Sequence, residues 1–199
     1  GDFARFARYA SGALAADVPA GSGWGKTGVL STQPALHVER RSDVAPYRFI
    51  VKADPERTTG FVVALSAKRT ADMWSEHLAW ISLIRSESGT YELFLHQTPY
   101  FSWARPLTQR WKGQLTVTLA SDGLRASVPG GPSIRTPSGT RDNTDYYLQV
   151  IAHPPRSSAP ATLALRSVLR ERVLPVGLPG WQRWCFLAPD AFKPDAFLR

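Results

Sequence analysis

Residues 115–128 read Leu-Thr-Val-Thr-Leu-Ala-Ser-Asp-Gly-Leu-Arg-Ala-Ser-Val, two alternating runs around a turn dipeptide. Leu115, Val117 and Leu119 alternate with threonines on the way in, and Leu124, Ala126 and Val128 alternate with Arg125 and Ser127 on the way out. Asp122-Gly123 supplies the positive φ angles of a type I′ turn, so the segment reads as a β-hairpin. Centring the turn on that dipeptide pairs Ser121 with Leu124, Leu119 with Ala126 and Val117 with Val128. The apolar side chains of both runs then share one face, with Thr116, Thr118, Arg125 and Ser127 on the other. A hairpin with one apolar face needs a second layer over it, which makes this stretch part of a sandwich or barrel.

The same period of two recurs on both sides of the hairpin. It is carried by Tyr47, Phe49 and Val51; by Phe61, Val63 and Leu65; by Ile81 and Leu83; and by Tyr91, Leu93 and Leu95. Downstream it returns in Tyr146, Leu148, Val150 and Ala152, then in Leu163 and Leu165 of a run ending near Val173. About eight strands separated by turn-rich segments, with no helix between them for parallel crossovers, describe an all-β, antiparallel two-sheet sandwich. Upstream, Phe3, Ala7, Ala10 and Leu14 recur at helical spacing and predict an N-terminal helix over Asp2 to Ala16. The stretches Pro129 to Asp145 and Pro154 to Pro160 are rich in turn-forming residues and read as surface loops. Trp181, Trp184, Phe186, Phe192 and Phe197 make the end of the chain too aromatic for a disordered tail. The expected organisation is a helix and lead-in over 1–44, the sandwich over 45–174, and an aromatic tail over 175–199 packed on it.

With 199 residues, 43% of them hydrophobic, the chain can bury one core. No stretch approaches the roughly 20 apolar residues of a membrane span. The lone Cys185 excludes an internal disulfide framework and a multi-cysteine zinc site. Its neighbours Trp184 and Phe186 mark it as a packed residue rather than a nucleophile. The net charge of +8 is mostly arginine, whose guanidinium forks suit carboxylate, sulfate and phosphate. These residues are scattered and form no long run, which reads first as a solvated basic surface; the functional alternative is a polyanionic ligand, an acidic polysaccharide ahead of nucleic acid.

The order of segments Tyr47-Arg-Phe-Ile-Val-Lys, Gly60-Phe-Val-Val-Ala-Leu, Tyr91-Glu-Leu-Phe-Leu, Trp111-Lys-Gly-Gln-Leu-Thr-Val-Thr-Leu, Asp122-Gly-Leu-Arg-Ala-Ser-Val and Ala161-Thr-Leu-Ala-Leu-Arg-Ser-Val resembles the concanavalin A-like lectin and glucanase superfamily over roughly residues 45 to 173. The resemblance implies a jelly-roll sandwich whose concave sheet handles carbohydrate, as a binding module, a hydrolase or a lyase.

Retaining glycosidases need two carboxylates on one face, roughly 5 Å apart. The sequence has no Glu-x-Asp-x-x-Glu or Glu-x-Asp-x-Glu, and Glu92 stands alone on its strand with Phe94 and His96. A polysaccharide lyase needs a cation to neutralise a uronate carboxylate and a Tyr or His to abstract the neighbouring proton. Arg85-Ser-Glu87, Tyr100-Phe101 and Gln149-Val-Ile-Ala-His153 are similar to motifs of alginate-type lyases, in a different order and with a different Gln-to-His spacing. Tyr147 or His153 would be the base. His37, His77, His96 and His153 lack paired spacing, Arg141 to Asp145 lacks a full calcium-loop signature, and no Gly-x-Ser-x-Gly or phosphate-cradling loop occurs. No metal or cofactor is therefore expected.

Aromatic side chains are the chemistry that remains, since sugar CH faces stack on them while polar neighbours fix orientation. The sequence thus predicts a non-catalytic carbohydrate-binding domain, bacterial and periplasmic or secreted. Trp80, Trp103 and Tyr147 would stack on sugar, and Arg48, Glu92, His96, Arg125, Gln149 and His153 would bond to hydroxyls or carboxylates. A polysaccharide lyase, ahead of a hydrolase, is the second reading, and a structural domain that docks a protein partner is the third.

Overall fold

The computed structural model describes residues 7–10, 12–21, 28–30, 35–39, 47–67, 77–97, 101–120, 123–136, 141–154 and 158–172. Among these residues every regular element is a strand. They are β1 (Ala7–Ala10), β2 (Ala13–Val18), β3 (Gly28–Leu30), β4 (Leu36–Val38), β5 (Tyr47–Ala53), β6 (Gly60–Ser66) and β7 (His77–Arg85). After these come β8 (Tyr91–Gln97), β9 (Phe101–Pro106), β10 (Gln114–Ala120), β11 (Gly123–Ser127), β12 (Ser133–Thr136), β13 (Thr144–Ala152) and β14 (Ala161–Arg172). The first sheet has the order β1-β2-β14-β5-β10-β11-β12; the second runs β3-β13-β6-β7-β8-β9, with β4 also paired to β13. All pairs are antiparallel.

The hairpin is β10-β11. Its partners are Leu119 with Leu124, Val117 with Ala126 and Ala120 with Gly123, so the connection is Ser121-Asp122 rather than the expected Asp122-Gly123. Gly123 uses its positive φ of 138° as the first residue of the returning strand. Moving the turn by one residue shifts each pairing by two, an even number, so the apolar face survives the change. Val117, Leu119, Leu124 and Ala126 are fully buried, and the predicted face is the face observed.

One continuous core lies between the sheets. Phe49, Val51, Leu115, Val117 and Leu119 of the first sheet meet Phe61, Val63, Leu65, Ile81, Leu83, Leu93, Leu95, Leu148 and Val150 of the second. Each such side chain contributes about 1.5–3 kcal/mol on leaving water. Trp111 plugs one end of this core. Its ring lies 4.9 Å from Tyr91 and 5.7 Å from Phe61, and its Nε1–H donates to the Gln114 carbonyl at 2.9 Å.

Three sequence expectations need correction. Among the described residues the N-terminal segment is not helical: Ala7–Ala10 and Ala13–Val18 form a hairpin with Gly12, φ 71°, in its turn. Leu14, Ala16 and Val18 enter the core because β2 pairs with β14, a long-range contact that overrides the helical propensity of alanine. The sandwich therefore begins before residue 45, and β1 to β4 belong to its sheets. Part of the expected loop Pro129 to Asp145 is strand: Ser133–Thr136 adds an edge strand to β11, and Thr144 and Asp145 open β13. The expected aromatic tail, 175–199, lies outside the described residues.

Two glycines give a controlled test. At Gly113, φ 85°, an added Cβ would sit 2.5 Å from the Ala53 carbonyl oxygen, whereas at Gly12, φ 71°, it would meet nothing within 4 Å. Gly12→Ala is expected to cost about 1–2 kcal/mol of unfolding free energy from the left-handed backbone alone. Gly113→Ala must also displace backbone and is expected to cost clearly more. Urea denaturation of the two variants against wild type measures the difference.

Candidate functional site

Alternation on the second sheet sends Tyr146, Leu148, Val150 and Ala152 into the core and leaves Tyr147, Gln149, Ile151 and His153 on the outer face. Cross-strand register then defines what lies beside them. Gln149 is opposite Ala64, Ala64 opposite Trp80, and Trp80 opposite His96. One step along, Ile151, Val62, Ser82 and Phe94 form the next row. Val62, Ala64, Trp80 and Ile151 make a second, separate apolar cluster on this outer face.

Trp80 is 3% exposed and Gln149 equally so, which makes Trp80 a floor residue rather than an open stacking platform. Tyr147, Glu92, Phe94, His96 and His153 are half-buried around it. The Trp80 and His96 rings lie 5.8 Å apart, tilted by 56°, and Phe94 stacks on the His96 ring at 6.2 Å and 10°. Ser82 Oγ is buried in the same floor and lacks a hydrogen-bond partner.

Both imidazoles of this face are held neutral. Burial pushes His153 down to about 4, against the opposing pull of the Pro154 carbonyl and with a further push from His96. Burial lowers His96 as well. The carbonyl of Pro154 can only accept, so His153 Nδ1 carries the proton and Nε2 is the acceptor nitrogen. Both stand on the outer-face parity of the second sheet, with β6 and β7 between their strands.

The remaining expected residues lie elsewhere. Arg48 and Arg125 are on the outer face of the first sheet, both opposite Thr118, and do not join Trp80 and Tyr147. Arg48 is within 3.7 Å of Glu171, and Arg125 is exposed beside Arg135. Only the backbone of Trp103 is described; it pairs with Leu95, out of phase with the Trp80–His96 row. Among the lyase-like fragments, Arg85 pairs with Tyr91 at the far end of β7, on the opposite parity from Trp80, and is not brought to Gln149 and His153. Asp145 of the polar turn is held 2.7 Å from His37. Among the described residues no group of three or more His, Cys, Asp or Glu converges, and no helix is long and apolar enough to cross a membrane.

No family model and no curated protein matches this sequence. Among solved structures, an alginate lyase from Pseudomonas aeruginosa aligns with a TM-score of 0.53 and 9% identity, covering 84% of this chain and 86% of its own. A second alginate lyase aligns at 0.52 and 9% identity over 80% of this chain and 74% of its own. Galectin-Ib of Xenopus laevis aligns at 0.47 and 8% identity over 72% of this chain and 99% of its own. The chain has the concanavalin A-like fold. At 9% identity the two alginate lyase alignments show the jelly-roll fold and nothing finer.

The sequence reading puts Phe94 on the face of Glu92 and His96 without giving it a role and does not name Ser82, although both share the parity of Trp80 and His96, the signal that places them. The His153 imidazole gives a test of the electrostatics. An unfolded histidine takes up a proton below about pH 6.5, whereas folded His153 resists until about 4. The unfolded state therefore binds more protons in that window, and stability falls as pH is lowered through it. Urea midpoints between about pH 6.5 and about pH 4 are expected to fall less steeply in His153→Gln than in wild type.

Proposed function

We propose that the protein is a carbohydrate-binding domain whose site is the outer face of the second sheet. The observation that carries this reading is the ring of half-buried Tyr147, Phe94, His96, Glu92 and His153 around the apolar floor of Trp80, Val62, Ala64 and Ile151. Aromatic edges and CH groups offer the apolar contact a sugar ring needs, and the two neutral imidazoles and the carboxylate offer partners for its hydroxyls. Location outside the bacterial cytoplasm, where polysaccharide is met, belongs to the same proposal.

A lyase reading is favoured by one observation, the neutral His153 with its acceptor nitrogen fixed as Nε2. Proton abstraction beside a uronate carboxylate also needs a cation on the same face. Among the described residues the outer face of the second sheet presents none, and Arg48, Arg85 and Arg125 lie away from it. Binding without turnover is the better supported function.

A glycan array that includes acidic polysaccharides tests this directly. Wild type is expected to retain at least one glycan, His96→Ala and Tyr147→Ala to weaken retention by about tenfold each, and Arg125→Ala on the opposite sheet to leave it unchanged. New ultraviolet absorbance from unsaturated ends on incubation with uronate polymers would replace the binding reading by the lyase.

A further inference from the structure

A cavity of about 380 Å³ opens at the end of the sandwich, where residues 54–58, the turn 86–90 and the segment 107–111 meet. Its volume falls within the roughly 300–1,000 Å³ of small-molecule sites. It is distinct from the sheet face: Arg85 enters it from the end of β7 on the core-side parity, and Tyr91 and Trp111 form its floor.

The cavity is preformed. Tyr91 Oη lies 2.5 Å from the Thr58 carbonyl oxygen and 2.9 Å from that of Pro55, which ties the floor to one wall. The Trp111 ring is locked by its bond to Gln114 and by its packing on Tyr91. Asp54 accepts from the Glu56 backbone N–H at 3.0 Å and from Arg166 at 2.9 Å, which fixes the loop that presents Glu56. Glu56 in turn pairs with Arg110 on the facing segment. Ordering costs are thus met by the fold before any ligand arrives.

The charge inside is lopsided. Arg110 is balanced by Glu56, but Arg85 is exposed and no ion pair joins it to a carboxylate among the described residues. Its guanidinium lies along the 86–90 turn, where a Cβ added at Gly89 would be 3.7 Å from Nη2. Burial pushes the Tyr91 phenol up to about 12, so the floor contributes no negative charge at neutral pH. Ser88, Thr90 and Gln109 line the remaining wall with hydroxyl and amide groups.

We propose that this cavity binds a single anionic sugar unit, with its carboxylate on Arg85 and its hydroxyls on Ser88, Thr90 and Gln109. A planar fork meets a carboxylate through two parallel hydrogen bonds, and this fork is the unmatched charge of the cavity. The polar wall selects a polyol over an apolar acid, and the volume admits one ring rather than a chain. The sugar class follows from the carbohydrate reading above; the position and the anion preference rest on the cavity alone.

Nuclear magnetic resonance titration tests it, following the Trp111 indole N–H and the Arg85 Nε–H. Glucuronate is expected to shift both saturably, while glucose and acetate bind at least about tenfold more weakly. Arg85→Gln, a change at an exposed position, should remove the preference for glucuronate over glucose, and His96→Ala on the sheet face should leave it intact. The proposal fails if glucuronate gives no saturable shift, if glucose or acetate binds equally well, or if Arg85→Gln binds glucuronate as tightly as wild type. Glucuronate binding here without glycan retention by the sheet face would support the cavity and remove the sheet-face reading alone.

Discussion

Everything in this molecule depends on the contact between two apolar sheet faces. Val117, Leu119, Leu124 and Ala126 have no other place to go, and the second sheet meets them with Phe61, Val63, Leu65, Ile81 and Leu93. Once both inner faces are spent on each other, chemistry is confined to the outer faces and the ends. The two outer faces carry different side chains. The first carries Arg48, Lys52, Thr118 and Arg125 together with Ile50, Leu169 and the buried Ala13, Ala15 and Ala164, whereas the second gathers half-buried polar and aromatic side chains over Val62, Ala64, Trp80 and Ile151. The half-buried Tyr147, Phe94, Glu92, His96 and His153 gathered around this cluster direct the functional reading to the second sheet.

Strands with one polar face were legible in the sequence. The run Gln114–Ala120 alternates in burial at every residue, so its faces could be assigned from the chain alone. Elements with both faces covered were not. In Ala13–Val18 five of six residues are buried, and alanines on both sides erase the alternation and imitate a helix. Ser133–Thr136 is short and Phe101–Pro106 ends in proline, so neither carried a periodic signal. The hairpin turn was misplaced by one residue because Asp-Gly suits a central turn position as well as the exit used here.

The candidate face was legible strand by strand only, for a related reason. Alternation tells which side chains of one strand share a face, and it grouped Tyr147, Gln149 and His153 correctly. It does not tell which sheet a strand joins. Arg48 and Arg125 were therefore placed with Trp80, although their strands lie in the other layer. The end cavity was beyond any local pattern, because Glu56 of the β5-β6 connection, Arg85 at the end of β7 and Arg110 of the segment between β9 and β10 meet only in the folded sandwich.

The position of β14 has a consequence for how the chain reaches this state. Its Ala161–Leu165 pairs with β2, residues about 150 apart, and its Leu165 and Ser167–Arg172 pair with β5, residues about 120 apart. During synthesis the hairpin β1-β2 and the strands from β5 to β12 emerge with a gap between them that only the last described strand fills. Until then β2 and β5 present unpaired edges, the form in which a sheet protein recruits the wrong partner. Assembly of the first sheet is in this sense a closing of a ring of sequence, with the key delivered last and the vulnerable interval as long as the chain that precedes it.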